Sequence, residues 1–70
     1  MSDATLTTHV WVAFGPAGAI GSVHTVTDGF AFRLMGETLR PAVYPTLEVA
    51  KKALYACLPT GTEWPEFREH

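Results

Sequence analysis

Residues 6–14 alternate between two sets of side chains, most of them β-branched or aromatic. A period of two in such residues predicts a β-strand. We expect its core face to be the one that carries Leu6, Thr8, Val10, Val12 and Phe14. His9 and Trp11 would then lie on the solvent side of the strand.

A second strand is predicted over residues 20–27, followed by Asp28 and Gly29. Asp-Gly favours a type I′ turn, because both central positions of that turn need a positive φ. A two-residue turn at this dipeptide would place His24 opposite Arg33 and Val23 opposite Leu34. The core face of this hairpin would carry Val23, Phe30, Phe32 and Leu34.

A second reversal at Gly36 and Glu37 would return the chain over residues 38–44 as a further strand. Pro41 has no amide proton, so this strand should be short and lie at an edge of the sheet. The same register would place Arg40 opposite Arg33.

One helix is predicted, over about residues 46–58, with Thr46 as its N-cap and Pro59 just beyond its end. Its apolar stripe is formed by Leu47, Ala50, Leu54, Cys57 and Leu58. In the tail, residues 59–70, Trp64 and Phe67 should fold back onto the domain or insert into a neighbour. The predicted fold is α+β: an antiparallel sheet of three or four strands, one helix on one face, and an ordered C-terminal tail.

The 70 residues form one small domain, residues 1–70. Such a short chain buries only about 60% of its unfolded surface. Its single cysteine cannot form an internal disulfide, and no spacing is typical of a metal site. We therefore expect a homodimer, formed through an edge strand or through a strip of small helix residues and the tail aromatics: Val49, Ala53, Ala56, Trp64 and Phe67. Alternatively, the two aromatic residues cover this strip within one chain.

The segment 28–54 contains Phe32-Arg33-Leu34, a turn, and then Tyr44-Pro45-Thr46 with Ala50. It resembles the repeat unit of YegP-like proteins, which implies a hairpin followed by a capped helix. The Thr-x-x-x-Ala pattern at the helix start is also similar to that of integrase arm-binding and plant GCC-box binding domains. Those domains bind DNA through a three-stranded sheet. Neither resemblance implies an active site.

The predicted registers place His24, Arg33 and Arg40 in one row on the face away from the helix, with Trp11 nearby. Like charges opposite each other are destabilising unless an anion lies between them. This row is the candidate binding site for an anion or a partner. The more common arrangement is a solvated outer face that is covered by tail carboxylates such as Glu63 or Glu66.

We therefore predict a non-enzymatic interaction module that presents a sheet face or edge to a protein partner, with no cofactor and no metal. A DNA-binding accessory domain that uses His24, Arg33 and Arg40 is the alternative. The net charge of −2 weighs against nucleic acid for the domain as a whole. No apolar run is long enough for a membrane span and no signal peptide is evident, so we expect a cytoplasmic protein.

Overall fold

The protein, described over residues 9–70 in a computed structural model, folds as one antiparallel sheet with a helix packed on it. The strands are β1 (Val10–Gly15), β2 (Gly18–Val26), β3 (Gly29–Leu34) and β4 (Glu66–Glu69), in the spatial order β3-β2-β1-β4. Helix α1 (Leu47–Ala56) connects β3 to β4. The α+β prediction with four strands is confirmed. The beginning of the predicted first strand, residues 6–8, lies outside the described residues.

Two rows of paired residues define the side of the sheet that the helix covers. Trp11 pairs with Val23, which pairs with Phe32, and the next row joins Ala13, Gly21 and Leu34. We call this side the helix face. The core is formed there by residues that are at most 2% exposed: Ala13, Val23, Phe32, Ala50 and Leu54.

Small residues in the sheet allow the helix to approach closely. Ala13 lies opposite Gly21, and a Cβ on Gly21 would come 2.7 Å from the Arg33 carbonyl oxygen and 3.3 Å from Leu54 Cδ1. The bare backbone of Gly21 therefore makes room for Leu54. The helix begins as predicted, since the Val49 N–H donates to Thr46 Oγ1 at 3.2 Å.

The first strand faces opposite to the prediction. Trp11 and Ala13 point to the helix face, and the outer face carries Val10, Val12 and Phe14, together with Ser22, His24, Ala31, Arg33, Glu66 and Arg68. Trp11 packs against the core and against the Phe30 ring, 5.9 Å between centroids. Alternation could not decide the orientation, because both sets of residues in this strand are apolar.

The β2–β3 turn is displaced by one residue from the predicted position. Val26 pairs with Gly29, so the turn residues are Thr27 and Asp28. Gly29 has a different role: a Cβ there would overlap the Tyr44 carbonyl oxygen, which accepts from the Phe30 N–H at 2.9 Å. The displacement moves each pairing by two residues, so the predicted core residues of this hairpin keep their face.

The fourth strand is the C-terminal tail and not residues 38–44. In the described part of the chain, the backbone of that segment contacts β3 only through a bridge from Tyr44 to Phe30 and a hydrogen bond from the Arg40 N–H to the Phe32 carbonyl, 3.0 Å. Pro41 lies between these two contacts and has no amide proton to continue a ladder. The tail instead pairs with β1, with Phe67 opposite Ala13 and Arg68 opposite Val12.

Candidate functional site

The outer face has a polar pair at its centre. Ser22 Oγ lies 2.8 Å from His24 Nε2, and Ser22 is only 4% exposed. The two residues share a face because they are two apart on β2. Burial lowers the pKa of His24, and the positive charge of Arg33 lowers it further. The lowered pKa favours the neutral imidazole at pH 7.

The predicted row of His24, Arg33 and Arg40 does not form. His24 lies opposite Ala31, and Arg33 lies opposite Ser22. Arg40 does not lie on the outer face. Its guanidinium carbon is 5.4 Å from the centre of the Phe32 ring, and Phe32 belongs to the helix face. The predicted pairing of His24 with Arg33 is wrong because the β2–β3 turn is displaced by one residue. Arg40 is absent from the row because residues 38–44 do not continue the sheet beyond β3.

Both arginines instead contact Glu37 in the turn after β3. Arg33 Nη1 donates to the Glu37 carbonyl at 3.2 Å, and Arg40 Nη2 lies 3.2 Å from Glu37 Oε1. Glu37 thus neutralises one of the two charges. Trp11, the fourth residue of the predicted site, lies on the helix face and stacks with His9, 5.8 Å between ring centroids.

The predicted helix strip is only partly free. Ala53 packs against the core, whereas Val49 is 41% exposed and Ala56 is also exposed. The tail aromatics do not cover it: Trp64 contacts the Tyr55 ring on another part of the helix. Cys57, predicted on the buried stripe, is exposed, because α1 ends at Ala56 and Cys57 is its C-cap.

The tail aromatics join β4 to the helix. The Trp64 ring lies between those of Tyr55 and Phe67, with centroid distances of 5.0 and 5.8 Å. Lys51 Nζ is 5.0 Å from the centre of the Phe67 ring, and the Tyr55 hydroxyl donates to the Thr62 carbonyl. Phe67 packs against the core, but half of Trp64 stays exposed beside it. The tail therefore folds back within its own chain and still offers an aromatic surface.

The two edge strands, β3 and β4, differ in whether other parts of the described chain hydrogen-bond their outer backbone groups. Along β3, backbone groups of Phe30 and Phe32 are already bonded to Tyr44 and Arg40. Along β4, no strand of the described chain pairs on the side away from β1. An edge of this kind presents unpaired N–H and C=O groups to solvent.

The ladder between β1 and β4 identifies which groups these are. The His70 N–H donates to the Val10 carbonyl at 2.7 Å, and hydrogen-bonded pairs alternate along an antiparallel ladder. The pairs Val12–Arg68 and Phe14–Glu66 are therefore bonded across the ladder. The backbone N–H and C=O groups of Phe67 and Glu69 consequently point away from β1, toward the free edge.

Sequence reasoning placed Phe67 at an interface but missed Glu66, Arg68 and Glu69 as strand residues. The only available signal was opposite charges two positions apart around one aromatic residue. Arg68 bonds Glu66 at 3.1 Å and stacks on Phe14, 5.4 Å from its ring centre. Glu69 Oε2 lies 2.6 Å from His9 Nδ1, which ties the end of β4 to the start of β1.

Two further possibilities are a metal site and a membrane-spanning helix, and the described part of the chain shows neither. Within residues 9–70, no three His, Cys, Asp or Glu side chains converge as metal ligands. Over the same residues, no helix has the length and hydrophobicity needed to cross a membrane.

Comparisons with known proteins give no family assignment: no family model, no curated protein and no solved structure matches this chain. The resemblance to YegP-like proteins stays a prediction.

Proposed function

We propose that this protein is a non-enzymatic interaction module whose docking element is the open edge of β4. The proposal rests on the difference between the β3 and β4 edges of the sheet. Within residues 9–70, the chain covers β3 with its residues 40–44, whereas no strand pairs with the outer backbone groups of β4 at Phe67 and Glu69. An extended segment of a partner can add to such an edge through main-chain hydrogen bonds.

Side chains beside this edge support the proposal. Trp64 is 50% exposed and lies on the helix side of β4, next to Phe67. Tyr and Trp are enriched in interfaces because one rigid ring contributes a large contact area.

The free thiol of Cys57 is stable in a reducing compartment, so we propose that this module acts in the cytoplasm.

The alternative, a DNA-binding accessory domain, has weaker support. Arg33 and Arg68 lie in one row of the outer face, across from Ser22 and Val12. However, Arg68 is paired with Glu66, Arg40 lies elsewhere, and the chain carries a net charge of −2. Phosphate contacts supply most of the affinity for nucleic acid, and few free cations are left on this face.

Photo-crosslinking tests the docking edge. A photoreactive amino acid replaces Glu69 in one variant and Glu48, an exposed helix residue, in the control. Both variants are irradiated as purified protein and in a lysate of the native host. We expect discrete protein adducts from position 69 and none above background from position 48. Equal yields from the two positions would refute the proposal.

A further inference from the structure

The open edge of β4 is complementary to itself. Because the Phe67 and Glu69 backbone groups point outward, a strand that adds to this edge pairs with these two residues. We infer that the partner is a second copy of this chain, whose β4 pairs antiparallel with the first around Phe67. This inference rests on the proposed function of the β4 edge.

Symmetry restricts the register of such a pair. A two-fold axis perpendicular to the sheet keeps each side chain on its own face, so opposed residues must differ by an even number. The centre of the pair can be any residue of β4: Phe67 or Glu69 gives a hydrogen-bonded central pair, and Glu66 or Arg68 gives a non-hydrogen-bonded one. A centre at Glu66 or Arg68 places two like charges directly opposite each other, which is destabilising.

Charge selects Phe67 as the centre. In this register Glu66 of each copy lies opposite Arg68 of the other, which gives two attractive cross-strand pairs. These would be non-hydrogen-bonded pairs, in which side chains lie closest. A centre at Glu69 would instead oppose Arg68 and His70, and leave both Glu66 residues without a cation opposite.

The side chains on the helix face of this edge are also compatible with a second copy of the chain. The two Phe67 residues would lie opposite each other, with both exposed Trp64 rings beside them. Glu69 would lie opposite Pro65 of the second copy, whose carbonyl can accept the Glu69 N–H. Since Pro65 has no N–H, this pair keeps one of its two hydrogen bonds, and the Glu69 carbonyl stays exposed to solvent. The product is a continuous eight-stranded sheet.

Charge exchange tests the register. Sedimentation equilibrium is measured for the wild type, E66R, R68E and the double variant E66R/R68E. We expect a concentration-dependent dimer for the wild type. Each single variant should dimerise on the order of ten-fold more weakly, because two attractive pairs become repulsive. The double variant should regain the wild-type dissociation constant. Equal association of all four proteins would refute this register.

A backbone variant tests the edge without changing these charges. Glu69→Pro removes an outward N–H, whereas Glu69→Ala removes the same carboxylate and keeps the N–H. We expect Glu69→Pro to lose the dimer and Glu69→Ala to keep it, with thermal unfolding of each variant as the check on folding. Should Glu69→Pro fail to fold, Phe67 prepared with an N-methylated amide by chemical synthesis supplies the same test.

Two results separate this inference from the proposed function. Monomer at every concentration up to about 1 mM, a range that covers weak complexes, overturns self-pairing. If position 69 then crosslinks to another protein in the lysate, the docking edge stands with a different partner. If position 69 crosslinks to nothing in either sample, both proposals fail.

Discussion

His24 and Arg33 lie diagonally across neighbouring strands on the outer face, close enough for the guanidinium charge to act on the imidazole. Ser22 Oγ is hydrogen-bonded to His24 Nε2. Burial and Arg33 both disfavour the imidazolium. The outer face therefore holds a neutral Ser-His pair beside a cation, and in residues 9–70 no carboxylate hydrogen-bonds His24 to orient it for catalysis.

The lowered pKa of His24 predicts a loss of stability in mild acid. The unfolded chain, with a His pKa near 6.5, binds more protons than the folded chain below that pH. The free energy of unfolding should therefore fall as the pH decreases through 6.5, until the pH reaches the lower folded pKa. Urea denaturation at several pH values measures this.

Two variants control that experiment. His24→Asn should remove this part of the acid-dependent loss, and Arg33→Ala should reduce it, since the charge of Arg33 is the smaller cause of the shift. NMR titration of the His24 ring gives the folded pKa directly. A His24 pKa at or above 6.5 would contradict the prediction.

Gly29→Ala should destabilise the protein and uncover the β3 edge. The new methyl group would collide with the backbone carbonyl of Tyr44, which cannot move aside as a flexible side chain would. Gly36→Ala is the matched control, because Gly36 also has a positive φ (86°) but open space around it. Positive φ alone costs about 1–2 kcal/mol in a residue with a side chain.

We therefore expect Gly29→Ala to lower the free energy of unfolding by more than about 2 kcal/mol, and Gly36→Ala by less. Amide hydrogen exchange should also become faster at Phe30 and Tyr44 in the first variant. Equal losses in the two variants would mean that the close approach of Tyr44 does not matter.

The β2–β3 hairpin and the helix could be predicted from the sequence because the apolar residues of each element recur with the period of that element. Phe30, Phe32 and Leu34 alternate with Ala31 and Arg33, so only one face can be buried. A turn displaced by one residue changes the pairing partners but keeps these faces. The core residues of this hairpin therefore lie on the predicted face, although β2 ends and β3 begins one residue earlier than predicted.

The orientation of β1 and the formation of β4 depend on tertiary contacts, which a local sequence pattern does not contain. β1 is apolar on both faces, and its orientation is decided by the fit of Ala13 opposite Gly21 under the helix. β4 has one apolar residue among charges, and it is a strand only because β1 offers an unpaired edge. The candidate site failed for the same reason: Arg40 lies over Phe32, a contact set by the path of the loop.

Leu54→Ala tests the core, because Leu54 is fully buried and contacts the sheet at Gly21. Truncating a buried leucine costs about 2–5 kcal/mol. Val49→Ala, on the exposed side of the same helix, should change the free energy of unfolding by less than about 1 kcal/mol. Chemical denaturation of both variants measures the difference. A large loss in Val49→Ala would show that this surface is buried in solution, which would favour the helix strip as an interface.

Tyr55→Phe tests how the tail is held to the helix. The variant keeps the ring that contacts Trp64, 5.0 Å between centroids, and removes the hydroxyl that donates to the Thr62 carbonyl. We expect a loss of about 1 kcal/mol, the usual net contribution of one hydrogen bond. Amide exchange at residues 62–67 should increase while exchange in β2 and β3 stays nearly unchanged. Tyr55→Ala, which also removes the ring contact, should release Trp64 and shift its fluorescence to longer wavelength. Unchanged emission in Tyr55→Ala would show that Phe67 alone positions Trp64, and that the helix does not set the aromatic surface beside the β4 edge.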